Sequence, residues 1–403
     1  MEKEPVPILY QEKAQCCGCG ACYNACPTGA ITMQEDDCGY LLPVIDESKC
    51  IRCGKCKTVC RFQAGPAQNS PKKVWAAQRR DDRALLRSAS GGVFAALAER
   101  ILAEGGVVYG ASFTKNWDVT HQQVTTREEL PALLGSKYVQ SATGDAYRQA
   151  AQQLKAGKTV LYCGTPCQIA GLYGYLGGDR ENLITADLVC HGVPSGRMLQ
   201  QYIGLLSDQL EGEVTGFTFR DKTAGWGING SVTVRKHGKE TKKILWQSAS
   251  SYLYYFTRGW LYRESCYRCP YASSHRPADI TLGDYWGIEA AHPRYLKKDL
   301  SEKNGISLVI ANTGKGQALL EQLNTVHLLP STFQKASAGN GNLRHPSTPG
   351  KREELLALYR HTGWEGLDTR FERSIGWRRY TSQIKSLIPA PIKRRLKLRA
   401  HHE

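Results

Sequence analysis

Two runs of four cysteines constrain this chain more than anything else in it. Cys16, Cys19, Cys22 and Cys26 follow a C-x2-C-x2-C-x3-C spacing that exits through Pro27, and Cys50, Cys53, Cys56 and Cys60 repeat the spacing. Spacers this short let three thiolates of one tight loop reach three irons of a cubane. The fourth cysteine opens a helix that points away, so in two-cluster modules it ligates the opposite cluster. The expected ligand sets are Cys16, Cys19, Cys22 and Cys60 for one [4Fe–4S] cluster and Cys50, Cys53, Cys56 and Cys26 for the other. Zinc is a poor competitor, because its sites take four ligands from two C-x2-C knuckles rather than two runs of four. Cys17, between ligands, and Cys38, between the two copies, are read as bystanders. Cys17 could stand in for Cys16, although the regular spacing favours Cys16.

At 403 residues the chain is more than twice the usual length of one domain. Its 15 cysteines would suggest disulfides in a small secreted protein, but the opening residues MEKEPVPILY hold no apolar leader, so the expected compartment is the reducing cytoplasm. The most apolar stretch, 93–113, is broken by Glu99, Arg100 and Glu104 and is too interrupted to span a bilayer. The formal charge of +16 counts every cysteine as a neutral thiol, whereas each cluster with its four thiolates carries roughly −2. No basic patch interleaved with stacking aromatics accompanies it, which argues against specific nucleic-acid binding. Much of the excess lies in the tail, with eight Lys/Arg and one acidic residue from Trp377 to Glu403. That tail reads first as a solvated end, with peripheral membrane contact or docking to an acidic partner as the sharper readings.

The expected organisation is a cysteine-rich module over 1–63, a linker over 64–72, a mixed α/β region over 73–155 and a second over 156–345. A helical and basic tail closes the chain over 346–403. Apolar patterning predicts strands at Val74–Ala77, Val107–Ser112, Thr159–Tyr162 and Leu183–Val189, and helices at Gly92–Glu104 and Gln168–Leu176. The alternating stretch 214–247 predicts antiparallel strands that could cover a cofactor face. Five cysteines remain: Cys163, Cys167, Cys190, Cys266 and Cys269. Cys167 follows a strand and a Gly-Thr-Pro turn, Cys190 ends another strand, and Cys266 and Cys269 form a C-x2-C pair, so they could converge at one end of a sheet.

The first 63 residues resemble bacterial-type two-cluster ferredoxins, down to Gly18-Cys19-Gly20-Ala21-Cys22 and the exit Cys26-Pro27-Thr28-Gly29-Ala30-Ile31. Arg61 replaces a common proline after the second run without removing a ligand. Residues 75–313 resemble the coenzyme F420 hydrogenase/dehydrogenase beta-subunit family. The resemblance rests on Ser88-Ala89-Ser90-Gly91-Gly92-Val93, Gly135-Ser136-Lys137-Tyr138-Val139, Gly164-Thr165-Pro166-Cys167-Gln168-Ile169-Ala170 and Cys190-His191-Gly192-Val193-Pro194. It rests also on Cys266 and Cys269 leading to Ala278-Asp279-Ile280-Thr281-Leu282-Gly283-Asp284.

The resemblance implies an α+β or mixed α/β multidomain protein, a ferredoxin module followed by an FAD-binding domain. Cys167, Cys190, Cys266 and Cys269 would match the ligands of a third [4Fe–4S] cluster, leaving Cys163 as a buried thiol. Ser90, Gly91 and Gly92, at a helix start, offer backbone N–H groups to a diphosphate, though such a turn can also merely cap a helix. Lys137 and Tyr138 could contact the flavin or substrate, with Lys137 on a solvated turn as the bland alternative. Thr165, Pro166 and Gln168 would sit where cluster and flavin meet. His191 and Lys137 are the catalytic candidates, although a supporting duty beside the cluster suits His191 better. Arg220, Asp221, Lys222 and Trp226 are read as strand-end surface residues.

Clusters pass single electrons and a flavin exchanges two, so the combination implies an oxidoreductase. The expected partners are a ferredoxin-like or other redox protein and a small two-electron substrate such as coenzyme F420. A non-catalytic electron-transfer subunit is the alternative.

Overall fold

The structure, a computed structural model, describes residues 5–65, 69–381, 384 and 388. In the N-terminal module β1 (Ile31–Glu35) and β2 (Leu41–Ile45) form an antiparallel hairpin with Ile31 opposite Ile45. Each cysteine run ends in a short helix, Ala21–Ala25 or Lys55–Thr58. Gly20 and Gly54 precede these helices with φ of 74° and 70°, a left-handed geometry that a side chain would strain. Cys38 lies buried in the turn of the hairpin.

The main body is built on β3 (Lys73–Arg79), β4 (Val107–Phe113), β5 (Val119–Val124), β6 (Val160–Gly164) and β7 (Leu183–Leu188). A three-stranded sheet follows in the chain, from β8 (Glu213–Thr218), β9 (Gly230–Lys236) and β10 (Lys239–Leu245), and then β11 (Ile280–Asp284), β12 (Ser307–Ala311) and β13 (Val326–Ser331) return to the first sheet. That sheet has eight strands in the order β13-β3-β12-β11-β7-β6-β4-β5. Strands β4, β6, β7 and β11 are mutually parallel at its centre, and the antiparallel pairs lie towards its edges. The central strands read as unbroken apolar runs because helices cover both faces. On one face Val93, Leu97 and Ile101 of helix Val93–Ala103 pack on Leu161 and Ile184. On the other, Tyr147 and Ala150 of helix Ala146–Lys155, with Ile169 and Leu172 of helix Pro166–Leu176, pack on Val160 and Tyr162. Strands from both sides of position 155/156 therefore share one sheet.

The predicted strands and helices are present with small shifts at their ends. Helix Pro166–Leu176 begins two residues before the predicted Gln168, because Thr165 and Gln168 cap each other's backbone N–H groups and Pro166 suits the first helical position. The stretch 214–247 supplies β8, β9 and β10, ordered β10-β9-β8. This small sheet packs with helices Gly196–Leu210, Ser251–Arg258 and Arg352–Ile375 around Tyr202, Phe217, Tyr252 and Trp364. The basic tail lies mostly outside the described residues. Among the described residues no helix is long and apolar enough to cross a membrane.

The ferredoxin-type module is bonded to the main body. Arg148 donates to the carbonyls of Asn24 and Tyr23 at 2.9 Å each, Asn24 donates to Gly144 O at 2.8 Å, and Thr143 donates to Cys19 O at 2.9 Å.

Candidate functional site

Within the N-terminal module the crossed cysteine sets each line a cavity. One is walled by Cys16, Cys19, Cys22 and Cys60, with Cys17 and Cys56 beside them. The other is walled by Cys26, Cys50, Cys53 and Cys56, so Cys56 borders both. Cys53 is the exposed cysteine of the chain, which makes its cavity the outer one. Backbone N–H groups already face the sulfurs, as where Ala30 donates to Cys26 Sγ at 3.3 Å. Among the described residues no three His, Cys, Asp or Glu are gathered for a single metal ion.

A third cavity lies beyond the carboxyl ends of β6 and β7, the place where open α/β sheets bind ligands. Cys167 enters it from the first turn of helix Pro166–Leu176, Cys190 from the loop after β7, and Cys266 and Cys269 from the turn at Glu264–Cys269. Thr165 Oγ1 lies 3.1 Å from Cys167 Sγ. Burial first, and Cys269 and Cys167 next, push the Cys266 thiol up to about 12. Cys17 and Phe62 line this cavity as well as that of Cys16. Cys17, a bystander by spacing, thus stands in the wall between two cysteine sets.

The largest apolar cavity, about 320 Å³, adjoins the third across Thr165 and His191, which line both. Ser90, Gly92, Lys137, Tyr138, Thr165 and Gln168 line it, as does Cys163. Gly91 does not: its N–H is already given to Ser307 Oγ at 2.9 Å, and a Cβ there would sit 2.2 Å from Ala77 O. That close approach to β3 and β12, rather than a free N–H, is why glycine is needed at 91. Pro166 borders the cysteine cavity instead. Lys137 is not on a solvated turn, since its amine donates to the carbonyls of Ala132 at 3.1 Å and Leu134 at 2.8 Å, and burial pushes its titration down to about 8. His191 opens onto the two cavities, and burial of its ring lowers its titration.

The reading of Arg220, Asp221 and Lys222 as surface residues is overturned, for all three are buried. Arg220 grips Asp284 with two bonds of 2.6 and 3.0 Å and also donates to Tyr138 Oη at 3.0 Å. Trp226 donates to Asp284 at 2.7 Å and stacks on Trp286, whose ring centroid is 4.8 Å away. Lys222 Nζ donates to Leu85 O at 2.7 Å and Ser90 O at 2.6 Å, clamping the Ser-rich turn that opens helix Val93–Ala103. These residues shape one end of the large cavity. The signal available in the sequence was the Gly283-Asp284 end of a quoted motif, which needs a buried cation as its counterpart.

Residues 157–330 match the model for the C terminus of the coenzyme F420 hydrogenase/dehydrogenase beta subunit, and residues 15–64 match a 4Fe-4S dicluster domain. Residues 157–330 belong to the coenzyme F420 hydrogenase/dehydrogenase beta-subunit family. This beta-subunit domain holds Cys167, Cys190, Cys266 and Cys269, while the Ser-Gly-Gly turn and Lys137 precede it. The chain is 21% identical over 302 residues to the F component of the F(420)H(2) dehydrogenase of Methanosarcina mazei, covering 72% of this chain and 80% of the relative. A solved chain from the xenon-derivatised F420-reducing [NiFe] hydrogenase complex of Methanosarcina barkeri is similar at 18% identity and a TM-score of 0.45. It covers 78% of this chain and 96% of its own. The protein is thus an iron–sulfur redox protein of the beta-subunit type, with a mixed α/β body and a dicluster module.

Proposed function

We propose that this protein is an iron–sulfur flavoprotein oxidoreductase. It exchanges electrons between a ferredoxin-type partner and a two-electron organic substrate such as coenzyme F420, using three [4Fe–4S] clusters and FAD. The observation that carries this reading is the serial sharing of cavity walls. The outer cysteine cavity meets the inner one at Cys56, the inner meets the third at Cys17 and Phe62, and the third meets the large cavity at Thr165 and His191.

The residues suit these groups. Four cysteines of the beta-subunit domain face one cavity, and Tyr271, which lines it, has a buried hydroxyl with no hydrogen-bond partner among the described residues. That hydroxyl is a spare donor for a cluster sulfur. The large cavity falls at the lower end of small-molecule sites in volume and is mostly apolar. Val93, Phe94 and Ala95, the first residues of their helix, line it together with Lys137. Helix N–H groups and an ammonium would hold the diphosphate of FAD. Tyr138, stacked on Phe256 at 4.4 Å, and the Trp226–Trp286 pair offer flat apolar surface at the other end. When bound, a flavin links one-electron carriers to a two-electron substrate. Lys222 keeps the Ser90 turn in place, and Arg220 fixes both Asp284 and the Tyr138 hydroxyl.

A second reading, an electron-transfer subunit with no substrate of its own, is favoured by the Methanosarcina mazei relative, which is named as one component of a dehydrogenase. The two part company in a single assay. Purified protein given a reduced ferredoxin-type donor under anaerobic conditions should bleach coenzyme F420 steadily, and a Cys266→Ser, Cys269→Ser variant should lose that turnover. Clusters that reduce and reoxidise normally while no organic acceptor is consumed would refute the enzyme reading in favour of the electron-transfer reading.

A further inference from the structure

Five arginines are buried among the described residues: Arg79, Arg220, Arg263, Arg276 and Arg352. Four of them face a carboxylate. Arg79 meets Glu99 at 2.5 Å, Arg220 meets Asp284 at 2.6 Å, Arg276 meets Asp187 at 2.9 Å and Arg352 meets Glu353 at 2.6 Å. Arg263, only 3% exposed, pairs with no acidic side chain among the described residues. Its N–H groups are satisfied by neutral acceptors: Cys16 O at 3.0 Å, Gln140 Oε1 at 3.1 and 3.4 Å, and Leu41 O. Carbonyls satisfy the donors but leave the charge uncompensated, and a guanidinium without a counter-ion is costly to bury. Something anionic should therefore lie against it.

The surroundings name the anion. Arg263 lines the cavity of Cys167, Cys190, Cys266 and Cys269, and its bond to Cys16 O ties it to the loop of the inner ferredoxin-type set. That loop is cut to fit it: a Cβ on Gly18 would come 2.6 Å from Arg263 Nη2. The charge acts on Cys16 of one set and on Cys167 and Cys266 of the other. It does not border the outer cavity of Cys26, Cys50, Cys53 and Cys56.

We infer that Arg263 is the shared counter-charge of the two cluster sites it separates, the inner ferredoxin-type site and the Cys167 site, and that it raises the reduction potential of both. A reduced cluster carries one more negative charge than an oxidised one, so a fixed cation in a dry wall stabilises the reduced form. Arg263 is in this sense a positioning residue for electrons. It matches the two clusters to each other and leaves the outer cluster alone.

The inference rests on the reading that both sites hold clusters, which iron counts on the wild-type protein test separately. Arg263 itself is tested by EPR-monitored redox titration of the full chain, reconstituted anaerobically, as wild type, Arg263→Gln and Arg263→Lys. With wild-type iron content, Arg263→Gln should shift two of the three cluster potentials downward together and leave the third in place, and Arg263→Lys should restore both most of the way. Unchanged potentials, an equal shift of all three, or an Arg263→Lys protein as low as Arg263→Gln would overturn it. Where Arg263→Gln sheds iron, Arg263→Lys decides. Full iron with both potentials near wild type supports the counter-charge role, and iron loss there too marks a purely structural fork and overturns it.

Discussion

His121 illustrates how burial fixes protonation around the large cavity. Its ring stacks on Tyr162 at 5.3 Å, with Nε2 at 3.1 Å from Cys163 O and Nδ1 at 2.8 Å from Ser141 Oγ. A carbonyl only accepts, so Nε2 carries the proton, and in the neutral ring Nδ1 accepts from the serine. Burial pushes its titration down to about 4, helped by the charge of Lys137 and opposed by the Cys163 carbonyl. The unfolded chain then binds the extra proton more readily, so the contribution to stability is complete above pH 6.5 and is lost as pH falls towards 4. A His121→Gln variant lacks this term. Relative to wild type it should gain about 2 kcal/mol between about pH 7 and pH 5 in paired denaturant titrations, and parallel curves would contradict the assignment. Lys137, Tyr138, Thr165 and Gln168 were legible in the sequence as cavity residues. Arg220 and Lys222 were not, because whether a charged residue at a strand end meets water or a carboxylate is decided by segments far away in the chain. Asp284 lies 64 positions from Arg220.

Secondary structure followed from local pattern where one face or two are buried. The helix at Val93 and the strands β4, β6 and β7 lie where apolar spacing predicts them. Sheet order did not follow, since β3 sits between β12 and β13, elements more than 200 residues later in the chain, and no local pattern encodes such a pairing. The cavity of Cys167 depends on one of these distant joints. Asp187, at the end of β7, accepts from Arg276 at 2.9 Å and from Thr281 Oγ1 at 2.7 Å, and Arg276 also donates to Tyr271 O at 2.6 Å. This fully buried pair ties the loop carrying Cys269 to the sheet. Replacing Asp187 with Asn leaves the guanidinium without its counter-charge, which costs about 3–5 kcal/mol for a pair of this kind. Asp187→Asn should therefore melt well below wild type and release iron first from the site of Cys269. A variant with unchanged melting and iron content would show that the pair carries no load.

Across the whole molecule the cavities form one line, from the outer set with its exposed Cys53 to the apolar cavity against helix Val93–Ala103. Spacing alone pointed to the first two ligand sets. The resemblance supplied the next four cysteines, and only the fold revealed that Cys17, Phe62, Thr165 and His191 are the walls through which neighbouring sites meet. Cofactor content tests this arrangement most directly. Protein purified anaerobically and assayed for iron, sulfide and flavin should hold about 12 Fe and one FAD per chain, three cubanes of four irons each. A count of about 8 Fe with no flavin, two cubanes' worth, would contradict it. That result would leave a ferredoxin module joined to a body whose cysteines and large cavity serve some other purpose.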